Sequence, residues 1–320
     1  MPSRRRALVV GIDDYSFSPL AGCVNDAKAI AALLREHHDD SPNFEVVLRT
    51  SENGSQITRA SLRQDLEQLF APGDADVALF YFAGHGTEND LGGYLVTRDV
   101  ANGDEGVNLS DVLTRANNSP ATERVIILDS CMSGAVGASP SRNNNEANVS
   151  EGVSILTASR AGQTAAEGNG NGIFTELVCG ALDGGAADVL GDVSAPGIYS
   201  YVEEALGAWD QRPLFKANLS KVESLRKALP AVPLASLREF PTWFPSVGDE
   251  YPLDPTYEDT IAGFNPAHVA IFKKMQRCRD AKLIEAVNEE FLYFAAKNSE
   301  SCRLTMLGQH YWKLAKQGLI

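Results

Sequence analysis

The chain has 320 residues, 44% hydrophobic and 22% charged, with a formal net charge of −14. That length supports one sizeable core plus a small appendage, the composition excludes a low-complexity chain, and no run approaches the roughly 20 apolar residues of a membrane span. The charge is uneven: residues 261–320 carry +4 and the remainder −18, a balance that speaks against nucleic acid as a partner and suits basic substrates.

Arg4-Arg5-Arg6 opens like a secretory leader, but Ala7–Ile12 is too short for its apolar region and runs straight into Asp13 and Asp14. It reads as a first buried strand of a cytoplasmic protein. Asn25–His37 follows as an amphipathic helix, with Ala27, Ile30, Ala31, Leu33 and Leu34 apolar. Phe44–Leu48 reads as a strand and Gln56–Phe70 as a helix. Asp76–Phe82 is a continuous apolar strand ending in Ala83-Gly84-His85-Gly86. After a helix over Leu109–Ala116 comes the strand Arg124–Leu128, ending in Asp129-Ser130-Cys131. Val153–Ala158 is a fifth strand and Phe174–Leu182 a further helix. Continuous apolar strands separated by helices predict a mostly parallel sheet covered on both faces, with chemistry beyond the carboxyl ends of its strands.

Residues 136–150 lack periodicity and read as an exposed loop, and Leu229–Pro255 as a Pro-rich surface linker. From Pro266 the pattern turns helical again, over Pro266–Cys278, Ala281–Lys297 and Leu304–Gln317. The expected division is therefore a domain over 1–228, a linker over 229–260 and a small helical module over 261–320.

Five cysteines, Cys23, Cys131, Cys179, Cys278 and Cys302, are odd in number, scattered and without a C-x-x-C pair. This argues against a disulfide framework or a zinc site. Most should be small buried hydrophobes. Cys131 differs, because it follows a buried strand and precedes small residues in a turn, where a thiol is accessible. His85 stands between two glycines at the end of another strand. An imidazole within hydrogen-bond reach of a thiol is the arrangement that nucleophilic catalysis needs. The separation of 46 residues between His85 and Cys131 is close to the roughly 50 of a caspase signature. A cysteine-dependent phosphatase needs an arginine six positions after its cysteine; that position is Gly137.

Gly84-His85-Gly86 and Asp129-Ser130-Cys131-Met132-Ser133-Gly134 resemble the two catalytic motifs of metacaspase-type peptidases in the caspase-like superfamily. The resemblance extends to Ala7–Ile12, Leu20–Ala27, Ile155–Ser159 and Gly172–Thr175, over about residues 5–220. Met132 departs from it, standing where many relatives have His, a position that is not the catalytic base. The resemblance implies a caspase-like α/β/α sandwich with a mostly parallel central sheet, extended here by the helical C-terminal appendage. It implies that Cys131 attacks the scissile carbonyl to form a thioester and that His85 protonates the leaving amine. The backbone N–H groups of Gly86 and Cys131 would hold the oxyanion. Asp26 and Asp129 match the acidic pocket positions of metacaspases, which suits cleavage after Arg or Lys. Read without the resemblance, Asp26 is equally a cap for the helix it adjoins.

Arg142 is the one basic residue between Arg124 and Arg160 and a candidate processing site, cut by this enzyme or an upstream protease. No cofactor is expected. Many metacaspases use calcium, but the oxygen donors on offer, Asp90, Asp99, Asp104 and Glu105, form too thin an acidic run to favour an obligatory ion. The expected partners are proteins with a basic residue before the cleaved bond, and an upstream protease or adaptor engaging residues 261–320. The resemblance further implies a prokaryotic stress or defence cascade. The rival reading keeps the fold and drops the chemistry, leaving a silent scaffold that binds partners.

Overall fold

The computed structural model describes residues 4–73, 75–89, 92–100, 105–130, 149–158, 167–168, 171–206 and 213–320. The chain divides into two compact units, Met1–Ala187 with Asp192–Ala228, and Asp188–Gly191 with Leu229–Ile320.

In the first unit the elements are β1 (Arg5–Gly11), α1 (Cys23–Arg35), β2 (Glu45–Thr50), α2 (Arg59–Phe70) and β3 (Val77–Ala83). A small antiparallel sheet follows, of β4 (Gly86–Asn89), β5 (Gly92–Leu95) and β6 (Val107–Asn108). Then come α3 (Leu109–Asn118), β7 (Glu123–Asp129), β8 (Val153–Thr157), the paired β9 (Glu167–Gly168) and β10 (Asn171–Gly172), and α4 (Ile173–Gly180). The unit ends with β11 (Asp192–Val193), α5 (Ala195–Leu206), β12 (Leu214–Asn218) and β13 (Arg226–Lys227), of which β11 and β13 pair.

Six strands form the central sheet in the order β12-β8-β7-β3-β1-β2. All pairings are parallel except that of β12 with β8. β3 is buried along its whole length, as a central parallel strand covered on both faces must be. Side chains alternate between those faces. Val9, Tyr81 and Ile127 point to one, against Ile30 and Leu34 of α1, Phe174 and Val178 of α4, and Ile198 and Val202 of α5. Leu8, Val10, Phe80, Phe82 and Leu128 point to the other, against Leu62 and Leu66 of α2 and Val112 of α3. This is the predicted three-layer α/β/α arrangement with a mostly parallel sheet.

The second unit departs from the expected linker and helical module. Its elements are α6 (Leu234–Arg238), α7 (Phe240–Trp243), β14 (Glu250–Pro252), α8 (Pro266–Asp280), β15 (Ile284–Ala286), α9 (Leu292–Lys297), β16 (Ser301–Leu304) and α10 (Met306–Lys316). The strands form an antiparallel sheet in the order β14-β16-β15. Residues 229–260 are no linker: Phe240, Trp243, Phe244, Leu253 and Tyr257 are core, packed with Phe272, Met275 and Tyr311. The helix expected over Ala281–Lys297 is broken at Lys282 and Asn288, each with φ of 60°, a left-handed conformation that no helix propagates. Among the described residues, no helix is long and apolar enough to cross a membrane.

Candidate active site

β3 and β7 are direct neighbours, with Ala83 opposite Asp129, and the Gly84 N–H donates to the Asp129 carbonyl at 3.3 Å. His85 lies two residues beyond the end of β3, and Cys131 two beyond the end of β7. β3 and β7 therefore end at the same carboxyl rim of the sheet. Cys131 itself, its oxyanion N–H and Arg142 lie outside the described residues. Gly86 opens β4.

The imidazole of His85 is held from two directions. Its Nε2 is 2.7 Å from the carbonyl oxygen of Ser18. A carbonyl only accepts, so Nε2 is the donor, and in the neutral ring the lone pair then lies on Nδ1. Tyr15, 1% exposed, packs its ring 4.7 Å from the imidazole. Its hydroxyl accepts the His85 backbone N–H at 3.1 Å and donates to the Val96 carbonyl at 3.0 Å. Gly84 is required by this packing, since a Cβ there would lie 2.5 Å from the Tyr15 hydroxyl. Phe17 completes a cluster of three rings, 5.4 Å from His85 and 5.5 Å from Tyr15. Neither Tyr15 nor the Ser18 carbonyl carries a motif, and the sequence offers no third group to orient His85.

The two carboxylates expected to form the pocket come together on the face of α1 and α4. Asp26 lies within α1 and is 2% exposed; its Oδ2 accepts the Gly172 N–H at 3.2 Å. It is not the cap of that helix. Asp13 has that role, taking the N–H groups of Cys23 at 2.8 Å and Val24 at 3.3 Å. Asp129 Oδ2 accepts from Thr175 Oγ1 at 2.5 Å. Thr175, having given its only hydroxyl proton to that carboxylate, accepts from the Tyr81 hydroxyl at 2.5 Å. A Cβ on Gly172 would be 2.6 Å from Asp129 Oδ2 and 3.4 Å from Asp26 Oδ2, so these two oxygens are at most about 6 Å apart. Gly172 and Thr175 belong to the stretch whose resemblance was legible, but their role at the carboxylates was not.

Among the described residues, no cation is among the charges that act on this pair. Burial, opposed by the Gly172 hydrogen bond and reinforced by the charges of Asp129, Asp13 and Glu176, raises Asp26 to about 7. Burial also raises Asp129, against the hydrogen bonds from Thr175. Among the described residues, Asp26 Oδ1 is buried with no hydrogen-bond partner. Buried polar atoms are normally satisfied. A guanidinium would supply both the missing donor and the missing charge.

The other cysteines are unsuited to thiolate chemistry. Burial pushes Cys179, Cys278 and Cys302 each to about 12. Burial and the charges of Asp13, Asp129 and Asp26 push Cys23 up further. Of the calcium candidates, Asp90 and Asp104 lie outside the described residues. One oxygen of Asp99 takes the Thr97 hydroxyl at 2.7 Å and the Arg59 N–H at 2.9 Å, at the start of α2.

With this fold and rim in place, the class is that of the caspase-like α/β proteins. The family model of the caspase domain matches residues 4–222, and the chain belongs to that family of cysteine-type peptidases. Among solved structures it is similar to protein GSU0716 from Geobacter sulfurreducens, with a TM-score of 0.52, 17% identity, and 71% of this chain and 98% of that one covered. It is also similar to caspase-1 from Spodoptera frugiperda, with a TM-score of 0.51, 14% identity, and 71% and 91% covered. At these identities the likeness is one of fold. No curated protein matches the chain.

Proposed function

We propose that this protein is a cysteine endopeptidase cleaving after Arg, and less efficiently after Lys, with Cys131 and His85 as its dyad. The buried carboxylate pair Asp26 and Asp129, with no cation beside it among the described residues, is the observation that carries the specificity. Arg is favoured because a planar guanidinium can engage two separated carboxylates while a lysine ammonium is a point charge. An Asp side chain before the scissile bond would be repelled, so a preference for acidic cleavage sites does not fit.

In the proposed cycle, His85 Nδ1 accepts the Cys131 thiol proton and the sulfur adds to the carbonyl carbon. The N–H groups of Gly86 and Cys131 receive the oxyanion. Collapse breaks the C–N bond as the imidazolium returns its proton to the leaving amine. Water, deprotonated by the same nitrogen, then hydrolyses the thioester. The Ser18 carbonyl supports this reading, because it holds the tautomer that the first transfer needs. The raised thiol values of Cys23, Cys179, Cys278 and Cys302 support Cys131 as the nucleophile.

Processing at Arg142 by this enzyme or an upstream protease, within a prokaryotic stress or defence cascade, belongs to the same proposal. So do a cytoplasmic location, protein substrates with a basic residue before the cleaved bond, and an adaptor role for residues 261–320. Calcium is not expected to be obligatory. The test is a fluorogenic panel with Arg, Lys or Asp before the scissile bond, with and without calcium, on wild type and Cys131→Ala. Arg turnover lost in the variant is expected. Turnover that survives Cys131→Ala would remove the dyad, preference for Asp would remove the pocket, and no turnover of any peptide would favour the silent scaffold. Mass spectrometry of incubated wild type checks Arg142, and a fully active intact chain would end that idea.

A further inference from the structure

We propose that Phe17 is the wall of the subsite for the first residue after the scissile bond and selects an apolar or aromatic side chain there; this rests on His85 acting as the acid of the proposed cycle. The group that protonates the leaving amine must stand beside it. An exposed side chain in ring contact with that imidazole therefore borders the residue carrying the amine. Phe17 fits this description, 58% exposed and 5.4 Å from the His85 ring.

The two faces of the sheet give the direction. Asp26, Asp129 and Thr175 belong to the side of α1 and α4, on which Tyr81 also lies. Tyr15, on which Phe17 packs, belongs to the opposite layer with Phe82, Leu95 and Val96. His85 stands at the rim between them. A chain whose basic side chain enters the carboxylates on one face, and whose next bond reaches the imidazole, continues toward Phe17.

The segment bearing Phe17 is fixed before any substrate arrives. Asp13 N donates to Ser51 Oγ at 2.9 Å, Asp14 pairs with Arg98 at 2.5 Å, and Leu20 N donates to the Asp13 carbonyl at 2.9 Å. The ring is thus presented on a rigid support, as a specificity surface requires.

Peptides identical except for Phe, Leu, Ser or Glu after a common Arg test this with purified full-length protein, cleavage being read by mass spectrometry. Wild type is expected to favour Phe and Leu over Ser in kcat/KM by about tenfold or more, the lower end of what an apolar pocket discriminates. Phe17→Ala should bring that ratio to about 2 or less, and Phe17→Lys should raise Glu relative to Ser, a gain that misfolding cannot imitate. A flat ratio in wild type, or an equal loss for all four peptides in Phe17→Ala with no gain for Glu in Phe17→Lys, overturns the subsite while leaving the dyad in place. His85→Ala cleaving the panel as wild type does would instead overturn the underlying reading and the subsite with it.

Discussion

Replacing Asp26 by Asn separates what this carboxylate does for function from what it does to stability. An unperturbed aspartate titrates near 3.8 and Asp26 near 7. At about 1.36 kcal/mol per pK unit, ionising it in the folded chain costs about 4 kcal/mol more than in the unfolded one. The folded value is the higher, so the stability contributed by the protonated form is fully present below pH 3.8. It is lost as pH rises toward 7 and changes little beyond. Asn mimics the protonated acid, and its amide oxygen can still accept the Gly172 N–H. The stability difference between Asp26→Asn and wild type should therefore move in favour of the variant by about 3 kcal/mol between pH 4.5 and pH 8. The charges of Asp13, Asp129 and Glu176 face the same group and remain in both proteins.

Two of the three tryptophans, Trp243 and Trp312, lie in the second unit, so fluorescence would report the wrong one. Urea unfolding followed by hydrogen exchange at the β3 and β7 amides reads the first unit directly. A variant-minus-wild-type difference that is flat with pH, or that moves against the variant as pH rises, would refute the reasoning. Agmatine, a small guanidinium, should stabilise wild type by roughly 2.7 kcal/mol at a hundredfold excess over its Kd and leave the variant unmoved. The same substitution should lower kcat/KM for Arg peptides by about 2–5 kcal/mol, roughly 30-fold to several thousandfold. A more stable, less active protein is the expected outcome.

Gly172→Ala should disrupt the carboxylates while the backbone tolerates it, because φ there is −70° while the new Cβ would meet Asp129 Oδ2 at 2.6 Å and must displace it. Agmatine binding by calorimetry is expected to be lost with secondary structure unchanged. Tyr15→Phe leaves the His85 N–H and the Val96 carbonyl without their partner, costing about 1–3 kcal/mol of stability. If Tyr15 also positions the imidazole, kcat falls while KM holds, and a KM effect alone would contradict that role. Arg124, 6% exposed, gives its guanidinium to the carbonyls of Ala116, Ala121, Thr122 and Glu151. Arg124→Lys cannot reproduce that fork, and urea unfolding should show a loss of about 2–4 kcal/mol.

The parts of the site that could be read from sequence are those that strand periodicity places. Tyr81 and Asp129 lie on one face of adjacent strands because β3 and β7 are continuous and paired in register, and the ends of those strands mark the rim. Thr175 and Gly172 reach Asp129 and Asp26 across 46 and 146 residues, distances over which no local pattern carries information. The Ser18 carbonyl is harder still, since every residue has one and only the path of the loop after β1 aims this one at His85. In the second unit the signals were present but misweighted. Prolines and missing periodicity over Leu229–Pro255 suggested a linker, yet elements of three to five residues, α6, α7 and β14, are too short to show a period. Their aromatic residues were the better guide.

The same distinction explains why two glycines beside functional groups have different reasons to be there. At Gly84 the place of the missing Cβ is filled by the Tyr15 hydroxyl. Gly172 stands beside the two carboxylates, and the place of its missing Cβ is taken by Asp129 Oδ2. An alanine at the first position would displace a buried ring that supports the imidazole; at the second it would displace the Asp129 carboxylate that a guanidinium would meet. Free-ligand binding tells these apart. Gly84→Ala should impair turnover while agmatine still binds, and Gly172→Ala should abolish both, so an agmatine affinity that falls equally in the two variants would contradict the assignment of the pocket to one face of the rim and of the imidazole's support to the other.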